Sequence, residues 1–230
     1  MFYNLNPTYL IFALPGLTIA IIAQILIKIR YNKYSKISSG TNMTGLDAAK
    51  LIQEQEDYPV DISTTKGTLQ DNFDPRYNTV NISSDNTTSD SIANIAVVAH
   101  EFGHVQQKFS ASSLFKLRTL MVPAVNIGSN IGYILFFIGL FLNALNLSEI
   151  GLILFSSTFL FALITLPIEF DASKRGMQFI KKHRLITVDK QKYARKILNA
   201  AALSYIAGFV TSLGNILYYA NILSARKRKD

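Results

Sequence analysis

Two histidines, His100 and His104, stand four residues apart in the run "VVAHEFGHVQQ", with Glu101 beside the first. On an α-helix, positions i and i+4 share a face one turn apart. Two imidazoles at that spacing can chelate a single ion. Glu101 is rotated about 100° from His100, so it reaches towards a water on such an ion rather than serving as a third ligand of the same face. This is the HExxH arrangement, in which two histidines hold zinc and the glutamate acts as general base of a peptidase. The competing reading is a helix with one solvated polar side. Small and apolar neighbours, including Ala96 and Gly103, favour the metal site because they leave room for an ion and for another backbone.

A catalytic zinc needs a third protein ligand and an open position for water. The chain has no cysteine, so every ligand must be His, Asp or Glu. A metzincin would carry glycine at 107 and histidine at 110; Gln107 and Ser110 exclude that class. After His104 the acidic residues are Glu149, Glu169, Asp171, Asp189 and Asp230, and the remaining histidine is His183 in "KKHRL". Glu149 falls in a turn between apolar stretches, and Asp230 ends a basic tail. "LPIEFDASKRG" is the better source, since Pro167 can start or kink a helix and Glu169 would lie in its first turn. Glu169 is the expected third ligand. Asp171 is the alternative ligand, or a group that orients an imidazole. The competing role for either acid is an ion pair with Lys174 or Arg175.

Several elements must position these residues. Apolar spacing at Ile92, Ile95, Ala96, Ala99 and Phe102 predicts a helix over 91–109, capped by Ser89 or Asp90. Thr44 followed by Asp47 reads as a variant capping box opening an earlier helix. Between them, Val60 and Ile62 alternate with polar residues, and the turn chemistry of "DPRYN" joins short strands in a hairpin.

Four stretches lack any charged residue: 1–27, 119–148, 150–168 and 197–225. A helical bilayer crossing takes about 20 mostly apolar residues, so the chain reads as an integral membrane protein with three or four transmembrane helices. Met1–Thr8 has no Lys or Arg, whereas Lys28, Arg30 and Lys33 follow the first apolar run. That order is the reverse of a signal peptide and predicts an uncleaved anchor. The net charge of +8 invites a nucleic-acid reading, but basic residues also gather on the cytoplasmic side of membrane proteins. Ten Lys and Arg lie in 28–118, nine in 174–196 and four in the tail. The two large basic segments therefore share one face, cytoplasmic by this rule, and the tail is discordant if the fourth span crosses fully.

The expected organisation is an anchor at 1–30, a catalytic α+β domain at 31–121, a transmembrane hairpin at 122–166, a helical segment carrying the third ligand at 167–198, and a fourth membrane helix with a basic tail at 199–230. The fold class is mostly α, with a small zincin-like α+β domain.

"AHEFGHVQQ", "DNFDPRYNTVNIS" and "PIEFDASKRG", in this order around a hairpin, resemble the YugP-like family of membrane zinc metallopeptidases. The resemblance spans almost the whole chain. It implies a membrane-embedded neutral zinc peptidase, with the family pattern falling on His100, Glu101, His104 and the Glu169–Ser173 element. A looser likeness to HtpX-type peptidases, in which a Glu followed three residues later by Ala supplies the third ligand, fits Glu169 and Ala172. The Asp that follows there is Ser173 here, which leaves Glu169 and Asp171 both open.

The expected function is zinc-dependent endopeptidase activity with one Zn2+ per chain, held by His100, His104 and Glu169, and with Glu101 as general base. His183, Tyr193 and Arg175 are candidate oxyanion donors. One strand of the 68–83 hairpin offers an edge for an extended substrate. The implied partners are a polypeptide substrate, membrane or juxtamembrane segments included, and the lipid bilayer, with no nucleic acid. The expected location is the cell membrane, multi-pass, with a cytoplasmic catalytic domain. The alternative is an inactive zinc-binding membrane scaffold or chaperone-like protein, against which an intact Glu101 argues.

Overall fold

The structure, a computed structural model, describes residues 7–228; Asp230 and most of the segment preceding the first span lie outside them. Eight helices and three short strands follow in the order α1 (Pro7–Tyr34), α2 (Gly45–Glu56), β1 (Asp61–Thr65), β2 (Asn72–Asp74), β3 (Thr79–Ser83), α3 (Ser84–Thr88), α4 (Ile92–Phe109), α5 (Ser113–Phe141), α6 (Leu145–Phe155), α7 (Ser157–Lys182) and α8 (Gln191–Lys227). This is a mostly α membrane protein with a small α+β part. Four segments are long and apolar enough to cross a membrane: α1, α5, the stretch Leu145–Lys182, and α8. Two compact units divide the chain, and each is described by itself.

The first unit comprises the described part of Met1–Ile22, Leu117–Pro167 and the described part of Leu203–Asp230. Its α5 and α6 form a hairpin whose backbones nearly touch. A methyl on Gly132 would sit 2.6 Å from Phe155 N and 2.7 Å from Gly151 O, so only hydrogen fits there. Close approach through small residues is how apolar helices gain contact where lipid offers no hydrophobic drive. Beside this hairpin, Tyr219 of α8 packs its ring 4.9 Å from Phe136 and 5.3 Å from Phe155. The basic tail has partners here. Arg226 donates to Leu140 O at 2.9 Å and Asn143 Oδ1 at 2.6 Å, and Lys227 pairs with Glu149. Arg226 thus satisfies a carbonyl left over at the end of α5, while Lys227 is neutralised by a carboxylate of α6.

The second unit comprises Ala23–Lys116 and Ile168–Ala202. Its strands form one sheet in the order β1-β3-β2. β2 and β3 are the predicted hairpin, pairing antiparallel with Phe73 opposite Val80. β1 instead runs parallel to β3, from Asp61 opposite Thr79 to Thr65 opposite Ser83. Val80 and Ile82 of the central strand are fully buried and join Ile52, Ile95, Phe102, Ile180 and Leu185 in the core. Thr44 caps α2 in the predicted capping box.

Two local readings are corrected. The cap of α4 is Ser91, whose hydroxyl accepts from Asn94 N at 3.2 Å; Asp90 is occupied by Ser38 Oγ at 2.5 Å. Pro167 lies inside α7, so Glu169 sits mid-helix rather than in a first turn.

Candidate metal centre

α4 is buried on nearly every side, and a stripe of small residues explains how. A methyl on Gly176 of α7 would lie 2.9 Å from Ala99 O, and one on Gly103 would collide with Ala172 O. One turn further, the Gln107 amide donates to Ile168 O at 2.8 Å. The contacts Ala99–Gly176, Gly103–Ala172 and Gln107–Ile168 step by four residues up one helix and down the other. The two helices therefore run antiparallel, one contact per turn, close enough to put Glu169 opposite the histidine pair.

The donors converge there. His100 Nε2 lies 3.4 Å from Glu169 Oε2, and His104 Nε2 lies 3.5 Å from the same oxygen. One donor atom from each of the three residues lies within 4.8 Å of the others. His104 and Glu169 are buried, and His100 is nearly so. Two imidazoles and one carboxylate at such spacing are the donor chemistry that suits zinc.

Both imidazoles are oriented from behind. His104 Nδ1 meets Gln107 Oε1 at 2.9 Å. The Gln107 amide nitrogen donates to Ile168 O and, at 2.9 Å, to Asp171 Oδ2. Two acceptors on that side fix which end of the amide is nitrogen. Gln107 Oε1 therefore accepts, His104 Nδ1 carries its proton, and Nε2 presents a lone pair to the centre. His100 Nδ1 lies 3.2 Å from Ser173 Oγ, so the position where HtpX-type chains carry Asp is in use here as well. Burial, the largest influence, lowers the His104 pKa, but the nearby negative charge of Glu169, with that of Glu101 and the contact with Gln107, outweighs it and raises the pKa above the ordinary histidine value.

Glu101 is held separately. Its Oε2 accepts from the Phe73 backbone N–H of edge strand β2 at 2.9 Å. Lys108, two turns along α4, donates to Pro75 O and Asn78 Oδ1 in the β2–β3 turn, which pins that strand to the helix. Burial, the largest influence, pushes the Glu101 carboxyl above the ordinary glutamate range, against the opposing pull of His100 and His104. A buried carboxylate whose proton affinity is raised is the kind of group that accepts a proton near neutrality.

The remaining sequence candidates lie elsewhere. Asp171 binds Gln107 and Arg175, the latter at 2.6 Å, so its described contact with the histidines runs through Gln107. Arg175 is occupied by Asp171 and by Ser110 Oγ at 3.4 Å. His183 Nε2 lies 2.7 Å from Glu56 Oε1, and Tyr193 stacks on Tyr34 with ring centroids 5.1 Å apart. Their described contacts do not bring these three to His100, His104 or Glu169. Sequence reasoning passed over Gln107, Ser173 and Phe73. The second glutamine of "HVQQ" was visible, but its role depends on an acceptor 61 residues away.

Over 215 residues the chain is 35% identical to a Bacillus subtilis (strain 168) protein named "Putative membrane protease YugP", covering 93% of this chain and 96% of that one. No solved structure matches. A family model described as "Putative neutral zinc metallopeptidase" matches residues 9–224, and with nearly the whole chain inside that match, the protein belongs to this family of membrane zinc metallopeptidases.

Proposed function

We propose that the protein is a zinc-dependent endopeptidase of the cell membrane, with His100, His104 and Glu169 holding one zinc ion and Glu101 as general base. The observation that carries this reading is the meeting of three donor atoms, two of them from buried side chains, from α4 and α7 beside a glutamate anchored by its own backbone contact. When bound, zinc supplies Lewis-acid polarisation of a carbonyl and acidification of water. The protein's own residues do the rest. Gln107 and Ser173 hold the imidazole orientations, and Phe73 N–H fixes one carboxylate oxygen of Glu101. The other oxygen takes a proton from water as its oxygen adds to the scissile carbonyl carbon. The same proton passes to the amide nitrogen as the C–N bond breaks, which returns Glu101 to its starting state.

β2 is an edge strand next to Glu101, so an extended peptide added along it would bring its backbone towards the centre. The distribution of Lys and Arg supports a cytoplasmic position for the site-bearing unit. The substrate class is polypeptide, with membrane and juxtamembrane segments included.

The test is metal content and peptide hydrolysis of the detergent-purified full chain beside Glu101→Gln, Glu169→Ala and Asp171→Ala. The expected result is about one zinc per chain in the wild type and in Glu101→Gln, with hydrolysis lost only through Glu101 or zinc. Zinc should disappear in Glu169→Ala and persist in Asp171→Ala. Full hydrolysis by Glu101→Gln would overturn the mechanism.

A further inference from the structure

A basic groove of about 460 Å³ lies between the end of α7 and the start of α8. Lys174, Lys181 and Arg195 line it with Asn199, and no Asp or Glu does. A second cavity continues it and adds Lys192 and Lys196. All five cations are exposed, and none forms an ion pair among the described residues. Cations serving only as a topology signal need nothing more than their place in the sequence. Here they converge on one concavity from two helices.

The groove is also graded. Its apolar end is Phe170 and Ala202, where Phe170 leaves 48% of its surface exposed, and the buried side chains of Met177 and Leu198 form its floor. Phe170, Leu198 and Ala202 adjoin the charge-free stretches 150–168 and 197–225. Along α7 the lining passes from Phe170 through Lys174 to Lys181, and along α8 from Ala202 through Asn199 to Arg195. Apolar surface at one end and unpaired cations at the other match a molecule with a hydrocarbon tail and an anionic head. A soluble anion would have no use for the apolar end.

We propose that this groove binds the phosphate headgroup of an anionic phospholipid, with the acyl chains leaving past Phe170 and Ala202. Basic pockets between membrane helices recognise such headgroups by charge and by hydrogen bonds to phosphate oxygens. The proposal stands independently of the zinc chemistry. It touches that centre at one point only, since Ser173 lines the groove and also contacts His100 Nδ1.

The experiment is native mass spectrometry of the full chain in non-ionic detergent, titrated with phosphatidylglycerol and with phosphatidylcholine of the same acyl chains. The wild type should retain phosphatidylglycerol at a concentration at least about tenfold lower, since each nearby cation is worth about fivefold. Lys174→Gln/Lys181→Gln/Arg195→Gln should bring the two lipids to parity. Lys36→Gln/Lys50→Gln/Lys66→Gln, which removes the same charge from exposed positions elsewhere, should leave the preference intact. Arg195→Gln alone should weaken phosphatidylglycerol about fivefold and serves if the triple variant does not fold. Equal retention of both lipids by the wild type, an equal loss in the control triple variant, or displacement by equimolar inorganic phosphate or an acidic peptide would overturn the proposal.

Discussion

Gln107 Oε1 lies 2.9 Å from His104 Nδ1, while the nitrogen of the same amide bonds Asp171 and the Ile168 carbonyl. One side chain thus sets the tautomer of a histidine on its own helix by reading the backbone of another. Outer contacts of this kind orient ligands and are worth about 10–100-fold in metal affinity. Gln107→Ala should weaken zinc binding by about that factor without removing a ligand. Competition with a zinc chelator of known affinity measures it. Asp171→Ala should have a smaller effect, because Ile168 O still fixes the amide; an effect as large as that of Glu169→Ala would show that Asp171 binds the ion itself.

Gly103→Ala should disturb the same centre from the other direction. The added methyl meets Ala172 C at 2.9 Å and Cα at 3.0 Å, so α7 must move away, and overpacking of this kind costs about 1–3 kcal/mol. Because Ala172 is three residues from Glu169, the variant should lose zinc as well as thermal stability. Stability falling with zinc affinity unchanged would mean that the helices yield elsewhere.

Removing the metal should itself destabilise the fold, since the donors tie α4 to α7. A ligand bound only by the native state contributes about 2.7 kcal/mol at 100 times its Kd. Chelation should lower the unfolding temperature of the wild type, and added zinc should restore it. Glu169→Ala should start near the chelated value and respond to neither treatment.

Glu56 gives a pH-dependent prediction away from the centre. Burial favours its neutral form, but hydrogen bonds from Lys182 and His183, both at 2.7 Å, outweigh that and hold its pKa below the ordinary glutamate value. A depressed carboxyl pKa stabilises the fold above the unfolded pKa, and the contribution is lost as pH falls through the folded pKa. Glu56→Gln should therefore cost about 1.5 kcal/mol at pH 7, the lower end of the range for hydrogen bonds to a charged group because Lys182 is solvent-exposed. Unfolding midpoints in detergent from pH 7 to below pH 4 should show the variant and the wild type converging as Glu56 protonates.

Much of the architecture was legible in the sequence because it depends on local pattern. Charge-free runs mark the four long apolar helices, Thr44 and Asp47 form the cap they spell, and "DPRYN" closes the hairpin. Glu169 was reachable by elimination among few carboxylates. Less legible were features that depend on distant partners. The parallel pairing of β1 with β3 leaves no periodic trace, and the role of Gln107 exists only once Ile168 and Asp171 stand beside it. Pro167 misled for the same reason. A proline early in a polar segment reads as a helix start, yet the preceding turns of α7 continue through it, although the ring forfeits one backbone hydrogen bond and crowds the carbonyl four residues back.

The split of the donor set between α4 and α7 also orders events during synthesis. Glu169 follows His104 by 65 residues, a gap that contains two apolar stretches. At about 5–20 residues per second, a ribosome needs roughly three to thirteen seconds to cross it. Throughout that interval the emerging chain holds both imidazoles but not the third donor. A chain interrupted before Glu169 therefore lacks one of the three candidate donors, so a truncated copy of that kind cannot assemble the centre proposed above.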